Sequence, residues 1–139
     1  ACARKAIEET ARRGIRVGAH IILGLPGEDA KESLRQAPII SSLPLTTLKI
    51  HQLQIIRGTR LAKMYAEKPF HLYTVEEYIK LIADYISLLR PDLVLERFVS
   101  QSPPDLLIAP KWGLKNYEFT HLLHNYMKEK LNNKTQSDK

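Results

Sequence analysis

Cysteine is almost missing from this chain: Cys2 is the only one in 139 residues. A single thiol excludes an internal disulfide and a cysteine-built metal centre held by this chain alone, and it points to a reducing, cytoplasmic setting. No apolar run approaches the ~18–20 residues that span a bilayer, which leaves no place for a membrane helix. The opening segment "ACARKAIEETARRG" mixes Arg, Glu and Lys and has no apolar core, so it is not a secretory signal. Aromatic residues are few, at 7%, and Trp112 is the sole tryptophan. No aromatic-and-basic repeat of the kind that tracks nucleic acid accompanies them.

What is present suits one domain, or one piece of a larger one: 44% of residues are hydrophobic. The formal charge is +6, and part of the excess lies at Lys111, Lys115, Lys128, Lys130, Lys134 and Lys139. Such a balance permits contact with an anion, and equally describes a solvated surface with a basic tail.

The pattern of apolar residues predicts alternating helices and strands. Ala3, Ala6, Ile7 and Ala11 recur at helical spacing, and Gly14 follows as a helix stop. Residues 15–23 read as a strand with apolar residues on both parities, as in a parallel sheet covered on both faces. A helix starts near Asp29, with Pro38 set to kink or divide it. Residues 47–56, "TLKIHQLQII", read as one strand in which Leu48, Ile50, Gln52, Gln54 and Ile56 share a side. Two glutamines in mid-strand require partners for their amides, and the interior of an open barrel facing a polar ligand supplies them. Thr74 and Glu77 form a capping box before a helix striped by Val75, Tyr78, Ile79, Ile82, Ile86 and Leu89. Residues 93–99 give a third strand. A proline-rich connection leads to a last helix from about Asn116 to Leu131, with Phe119, Leu122, Leu123, Tyr126 and Met127 inward. Residues 132–139 read as a disordered tail. The order α-β-α-β-α-α-β-α implies parallel strands joined by helical crossovers. Three such strands leave an apolar sheet edge unpaired, so an N-terminal part of the fold is expected to be missing from this chain.

Ligands in parallel α/β folds gather at the carboxyl ends of strands. Three segments lie there: Gly24-Leu25-Pro26-Gly27-Glu28, Arg57-Gly58-Thr59 and Ser100-Gln101-Ser102. The glycines of the first let a ligand approach the main chain, although a plain βα turn has the same composition. No Lys-Ser/Thr pair follows Gly27, and the dinucleotide glycine pattern is absent. Arg57 suits a carboxylate or phosphate, or else caps a helix. Glu96 and Arg97, adjacent in a strand, are expected to face opposite sides. His51 reads as a satisfied buried histidine. His121 and His124 have chelating helical spacing but no evident third ligand. Trp112 either stacks a ring or pins its loop to the core.

The segments "IILGLPGED" and "KIHQLQIIRGTRLA", in that order, resemble the second half of radical SAM proteins of the methylthiotransferase, elongator-catalytic-subunit and coproporphyrinogen-dehydrogenase-like groups. "LERFVSQSPPDLLIAPKWGLKNYEF" is similar to the C-terminus of the YhcC-type bacterial branch. The resemblance runs over most of residues 3–125. It implies an α/β fold, the C-terminal part of a partial (β/α)6 TIM-like barrel, with 15–23 and 47–56 as the fifth and sixth strands and 93–99 as an added one. Residues 1–131 would then be barrel and C-terminal extension.

The family's chemistry is reductive cleavage of S-adenosylmethionine on a [4Fe–4S] cluster, which yields a 5′-deoxyadenosyl radical and marks an oxidoreductase-type enzyme. The resemblance places the backbone of Ile22, Leu23, Gly24 and Leu25 beside S-adenosylmethionine. It places Gln54, Arg57, Glu96, Arg97 and Gln101 around a substrate, either a tRNA or a small molecule. His20 stands where the family often has glycine. The family's C-x3-C-x2-C cluster loop is not in this sequence. The chain alone is therefore expected to hold no metal and to be inactive. Its partner would be the missing N-terminal half of the barrel, and an artificial dimer through the open edge is a further expectation. A different class also fits: a non-catalytic basic α/β module binding RNA or an anionic ligand.

Overall fold

The structure of the protein, a computed structural model, describes residues 2–137. Helix α1 (Cys2–Arg12) leads to strand β1 (Gly18–Leu23), helix α2 (Ala30–Ser42) and strand β2 (Thr47–Gln52). A two-residue strand β3 (Ile55–Ile56) and helices α3 (Arg60–Glu67) and α4 (Val75–Ser87) follow. Strands β4 (Val94–Arg97) and β5 (Leu107–Ala109) and helix α5 (Asn116–Ser137) complete the fold. Strands β1, β2 and β4 form a parallel sheet in that spatial order, as the sequence pattern requires. No described helix is long and apolar enough to cross a membrane.

The sheet is covered on one face only. In β2 the side chains alternate, and Leu48, Ile50 and Gln52 turn inward. They meet Ala37 of α2, Tyr78, Ile79, Ile82 and Tyr85 of α4, and Phe119 and Leu123 of α5 in one core. In β1, Leu23 is fully buried, while His20 and Ile22 are exposed on the opposite face. The expected cover on both faces is thus absent. Apolar residues of both parities crowd the end of β1 because Ile21 and Leu23 serve the core and Ile22 lines the open side.

Residues 47–56 are not one strand. The chain leaves the sheet after Gln52, where the Leu53 N–H donates to the Leu23 carbonyl at 3.0 Å. Leu53 and Ile55 then enter a second, smaller core with Ala62, packed by Leu61, Tyr65, Phe70 and Leu72. Strand β3 pairs antiparallel with β5, a strand the proline-rich connection concealed. The other strands are also shorter than expected, at 18–23 and 94–97 rather than 15–23 and 93–99.

Pro38 lies inside α2 without dividing it. Asp29 caps that helix, its Oδ1 accepting from the Glu32 N–H at 2.7 Å. Thr74 caps α4 through the Glu77 N–H at 3.2 Å. The return half of the capping box is replaced, because the Glu77 carboxylate binds His71 at 2.6 Å. Helix α5 continues to Ser137 instead of giving way to a loose tail at residue 132; no Gly or Pro interrupts it, and Thr135 bonds back to the Leu131 carbonyl. Residues 138–139 of the expected tail lie outside the described residues. Leu122, expected inward on α5, is 39% exposed, since the contact stripe runs through Phe119, Leu123, Tyr126 and Met127.

Candidate functional site

The Gly24–Glu28 corner is a type II turn by its residues and angles. Pro26 occupies the second position, Gly27 has φ of +80°, and the Leu25 carbonyl accepts the Glu28 N–H at 2.9 Å. What binds the exposed amide of this turn is the chain itself. Glu28 folds back so that one carboxylate oxygen takes the Leu25 N–H at 3.1 Å. The other oxygen accepts from Ser33 Oγ at 2.9 Å and Gln36 Nε2 at 2.6 Å. Strand end, turn and helix α2 are locked by one side chain, and charge-assisted bonds of this type are the stronger kind.

Gly24 is where the main chain keeps unpaired groups, close under the Tyr73 ring. Its φ is +88°, and a Cβ there would meet the Tyr73 ring at 2.9 Å. Its N–H and C=O have no partner among the described residues. The turn forms one wall of a cavity of about 350 Å³ that Phe70, His71 and Tyr73 complete. Ile22 and Leu25 stand exposed beside Gly24, at 47% and 45%, and Leu23 is buried beneath.

The two glutamines have a different use from the one their position suggested. Gln52 lies on the helix-covered side and Gln54 in the segment that has left the sheet, and the segment after β4 supplies partners to both. Gln52 clamps the Ser100 backbone twice: its Oε1 accepts the Ser100 N–H at 2.7 Å and its Nε2 donates to the Ser100 carbonyl at 3.1 Å. Gln54 Nε2 donates to the same carbonyl at 3.2 Å, and its Oε1 accepts from Ser102 Oγ at 2.6 Å. Gln54 and Gln101 do border a shared cavity of about 390 Å³, with Ser100, Trp112 and Lys111. Arg57 does not line it; its side chain is exposed, and its backbone N–H bonds to the Leu106 carbonyl at 2.8 Å. Trp112 anchors its loop, donating from Nε1 to the Tyr73 carbonyl at 3.2 Å and packing against Tyr78 and Phe119.

Glu96 and Arg97 serve one side of the sheet. The β2–β4 register shifts between Leu48 and Lys49, so that Lys49 pairs with Arg97. Such a bulge re-aims side chains that simple alternation would separate. Glu96 forms a 3.5 Å ion pair with Lys49, and the charge of Arg97 acts on His51. Both residues are exposed.

On that open face the structure assembles a group the sequence pattern did not reveal. His20 Nδ1 lies 3.0 Å from His51 Nε2, and His51 Nδ1 in turn bonds to Ser100 Oγ. The ring planes are 11° apart with centroids at 5.1 Å, so the imidazoles meet edge to edge, as an in-plane hydrogen bond requires. Burial, His20, Arg97 and Lys49 together hold the pKa of His51 below its ordinary 6.5. The available signal was parity: His20 and His51 share a face with Lys49 on neighbouring parallel strands.

Comparison with known proteins places this geometry. The sequence profile of the Radical_SAM C-terminal domain matches residues 45–129. The chain is 32% identical to the protein MJ0486 of Methanocaldococcus jannaschii over 91% of its own length and 39% of that protein. It is 26% identical to the protein YhcC of Escherichia coli K12 over 93% of its own length and 42% of the relative. It thus spans about two fifths of these curated relatives. Among solved structures, Elp3 of the archaeon Methanocaldococcus infernus, with an N-terminal deletion, superposes with a TM-score of 0.80 over 92% of this chain and 30% of that one, at 23% identity. That structure shares the fold, and the profile covers more than half of the sequence: the chain belongs to the Radical_SAM C-terminal domain family.

Proposed function

We propose that this chain forms the cofactor- and substrate-facing C-terminal wall of a radical SAM enzyme whose remaining barrel and cluster cysteines belong to the rest of the parent protein. The observation that carries this reading is the Gly24 corner. It offers an N–H and C=O unbonded among the described residues, beside the Tyr73 ring that takes the space a Cβ would need, and flanked by exposed Ile22 and Leu25. A flat ring with polar edges fits such a wall, as the adenine of S-adenosylmethionine has. The cluster, in contrast, does not fit here. Cys2 is an exposed lone thiol, and no three His, Cys, Asp or Glu residues among those described converge on a metal position.

S-adenosylmethionine bound to an iron–sulfur cluster supplies a 5′-deoxyadenosyl radical that abstracts hydrogen. This chain's residues have the supporting roles. Glu28 holds the corner rigid, Ile22 and Leu25 exclude water from its apolar side, and Lys49 and Arg97 give the open face its positive charge. The substrate, a small molecule or a tRNA, would meet that face.

The test is anaerobic expression of the full-length parent, with iron, sulfide and 5′-deoxyadenosine measured. An intact parent that binds no cluster overturns the reading. Within the loaded parent, Ile22→Trp fills the open face next to Gly24 and is expected to weaken S-adenosylmethionine binding at least tenfold, read by equilibrium dialysis, with iron content unchanged.

A further inference from the structure

We propose that the open sheet face holds a binding site for a small anion, a carboxylate or phosphate group on the substrate, hosted by Arg97, Lys49 and a His20–His51 pair that takes up one proton as the anion binds. The inference builds on the reading of that face as a substrate chamber. Its test needs neither cluster nor S-adenosylmethionine, so either proposal can fail alone.

Three observations support it. First, the guanidinium of Arg97 makes no ion pair among the described residues, and the nearby carboxylate, Glu96, is engaged with Lys49 at 3.5 Å. A planar, unpaired guanidinium beside histidines is a ready host for a carboxylate or phosphate. Second, the end of the chain of bonds is fixed in place. Gln52 and Gln54 hold both the N–H and the C=O of Ser100, so its hydroxyl is set against His51 before any ligand arrives. Third, the groups facing His51 are His20 from β1, Lys49 from its own strand, Arg97 with Glu96 from β4, and the Ser100 hydroxyl. Three of these carry or can acquire positive charge against a single carboxylate.

The proton count follows from the bonds. In the neutral pair one imidazole N–H lies between His20 and His51, and Ser100 either donates to His51 or accepts from it. One added proton makes His20 an imidazolium. It then donates from Nδ1 to His51 and from Nε2 outward, while His51 donates from Nδ1 to Ser100. Every internal bond survives, and a donor faces the open side. Without an anion this state is opposed by the like charges of Arg97 and Lys49; His51 itself is held below its ordinary value first by burial and then by His20, Arg97 and Lys49. An anion placed among them removes the opposition, so binding and protonation assist each other.

The experiment is a pH titration of the full chain labelled with 15N-histidine, at constant ionic strength in chloride, inorganic phosphate or acetate. His121 and His124, on exposed positions of α5, are internal controls. In the presence of anion the midpoint for the single proton shared by the His20–His51 pair is expected to rise by about one pH unit, with no matching anion-induced change at the controls. Affinity should weaken by about tenfold in all as pH rises through the free and bound midpoints, and then level off. Arg97→Gln, at an exposed site, should lower affinity at least tenfold and abolish the shift; Lys49→Gln is a second variant with the same direction. A response to phosphate alone assigns a phosphorylated ligand, to acetate alone a carboxylate, and to both a general anion; each supports the proposal. It is overturned if neither anion moves the pair, or if the controls or the Arg97→Gln protein move equally.

Discussion

Glu28 and His51 show how much depends on single side chains whose importance no motif announces. The carboxylate of Glu28 satisfies a backbone amide, a fully buried serine and a glutamine at once. Glu28→Ala leaves all three without this partner, and an unsatisfied buried group such as Ser33 Oγ costs about 1–3 kcal/mol, the more exposed Leu25 N–H and Gln36 amide less. We expect a loss of about 2–4 kcal/mol in urea denaturation, with Glu28→Gln recovering part of it. His51 carries the pH dependence. Its folded pKa lies below 6.5, so the unfolded chain binds the proton first as pH falls. The contribution of His51 to stability is therefore intact above about pH 6.5 and declines as pH drops toward its folded value. His51→Gln should flatten that part of a stability-against-pH curve measured by denaturant midpoint. The glycine-proline corner was legible from sequence, but its occupant was not, because a carboxylate that folds back on its own turn looks in sequence like one that caps the next helix.

Helices were easier to read than strands, for a physical reason. Asp29 and Thr74 mark helix starts in the sequence and both are found as caps; Thr59, which the sequence reading placed only at a strand end, caps α3. Strand limits depend on partners distant in sequence. "TLKIHQLQII" alternates as one strand would, yet Leu53 and Ile55 belong to a different core from Leu48 and Ile50. The glutamines' protein partner was hidden for the same reason: Ser100 lies far along the chain. At this scale Arg90 joins two connections. Its guanidinium donates to the carbonyls of Ser41, Leu43 and Leu45 in the segment before β2, its backbone N–H donates to Ser41 Oγ, and it pairs with Asp92 at 3.1 Å. A lysine keeps the charge and loses the fork. Arg90→Lys is expected to cost about 1–3 kcal/mol by thermal or urea unfolding, whereas Lys130→Ala, which breaks a half-exposed pair with Asp84, should cost under about 1 kcal/mol.

The molecule as a whole is a sheet with one dressed side and one bare side. The dressed side was predictable from apolar periodicity and from the resemblance of its segments to radical SAM proteins. The bare side was legible only in part: the resemblance singled out Glu96 and Arg97, but their grouping with His20, Lys49 and His51 depends on strand register, which the sequence does not display. Strands β1 and β4 are both edges, and Ile22 and Val94 are exposed at 47% and 54%. Unpaired edges beside apolar residues invite association. Sedimentation of the chain by itself should show concentration-dependent self-association, and Ile22→Glu should shift it toward monomer; a strictly monomeric chain at all concentrations would count against this.

The self-sufficient corner at Gly24 has a thermodynamic consequence. Since Glu28 freezes the loop in the unliganded protein, a guest arriving there finds a preorganised wall and surrenders little chain entropy. The heat-capacity change on binding should then scale with the apolar area the guest covers, without the larger signature of a loop that folds around it.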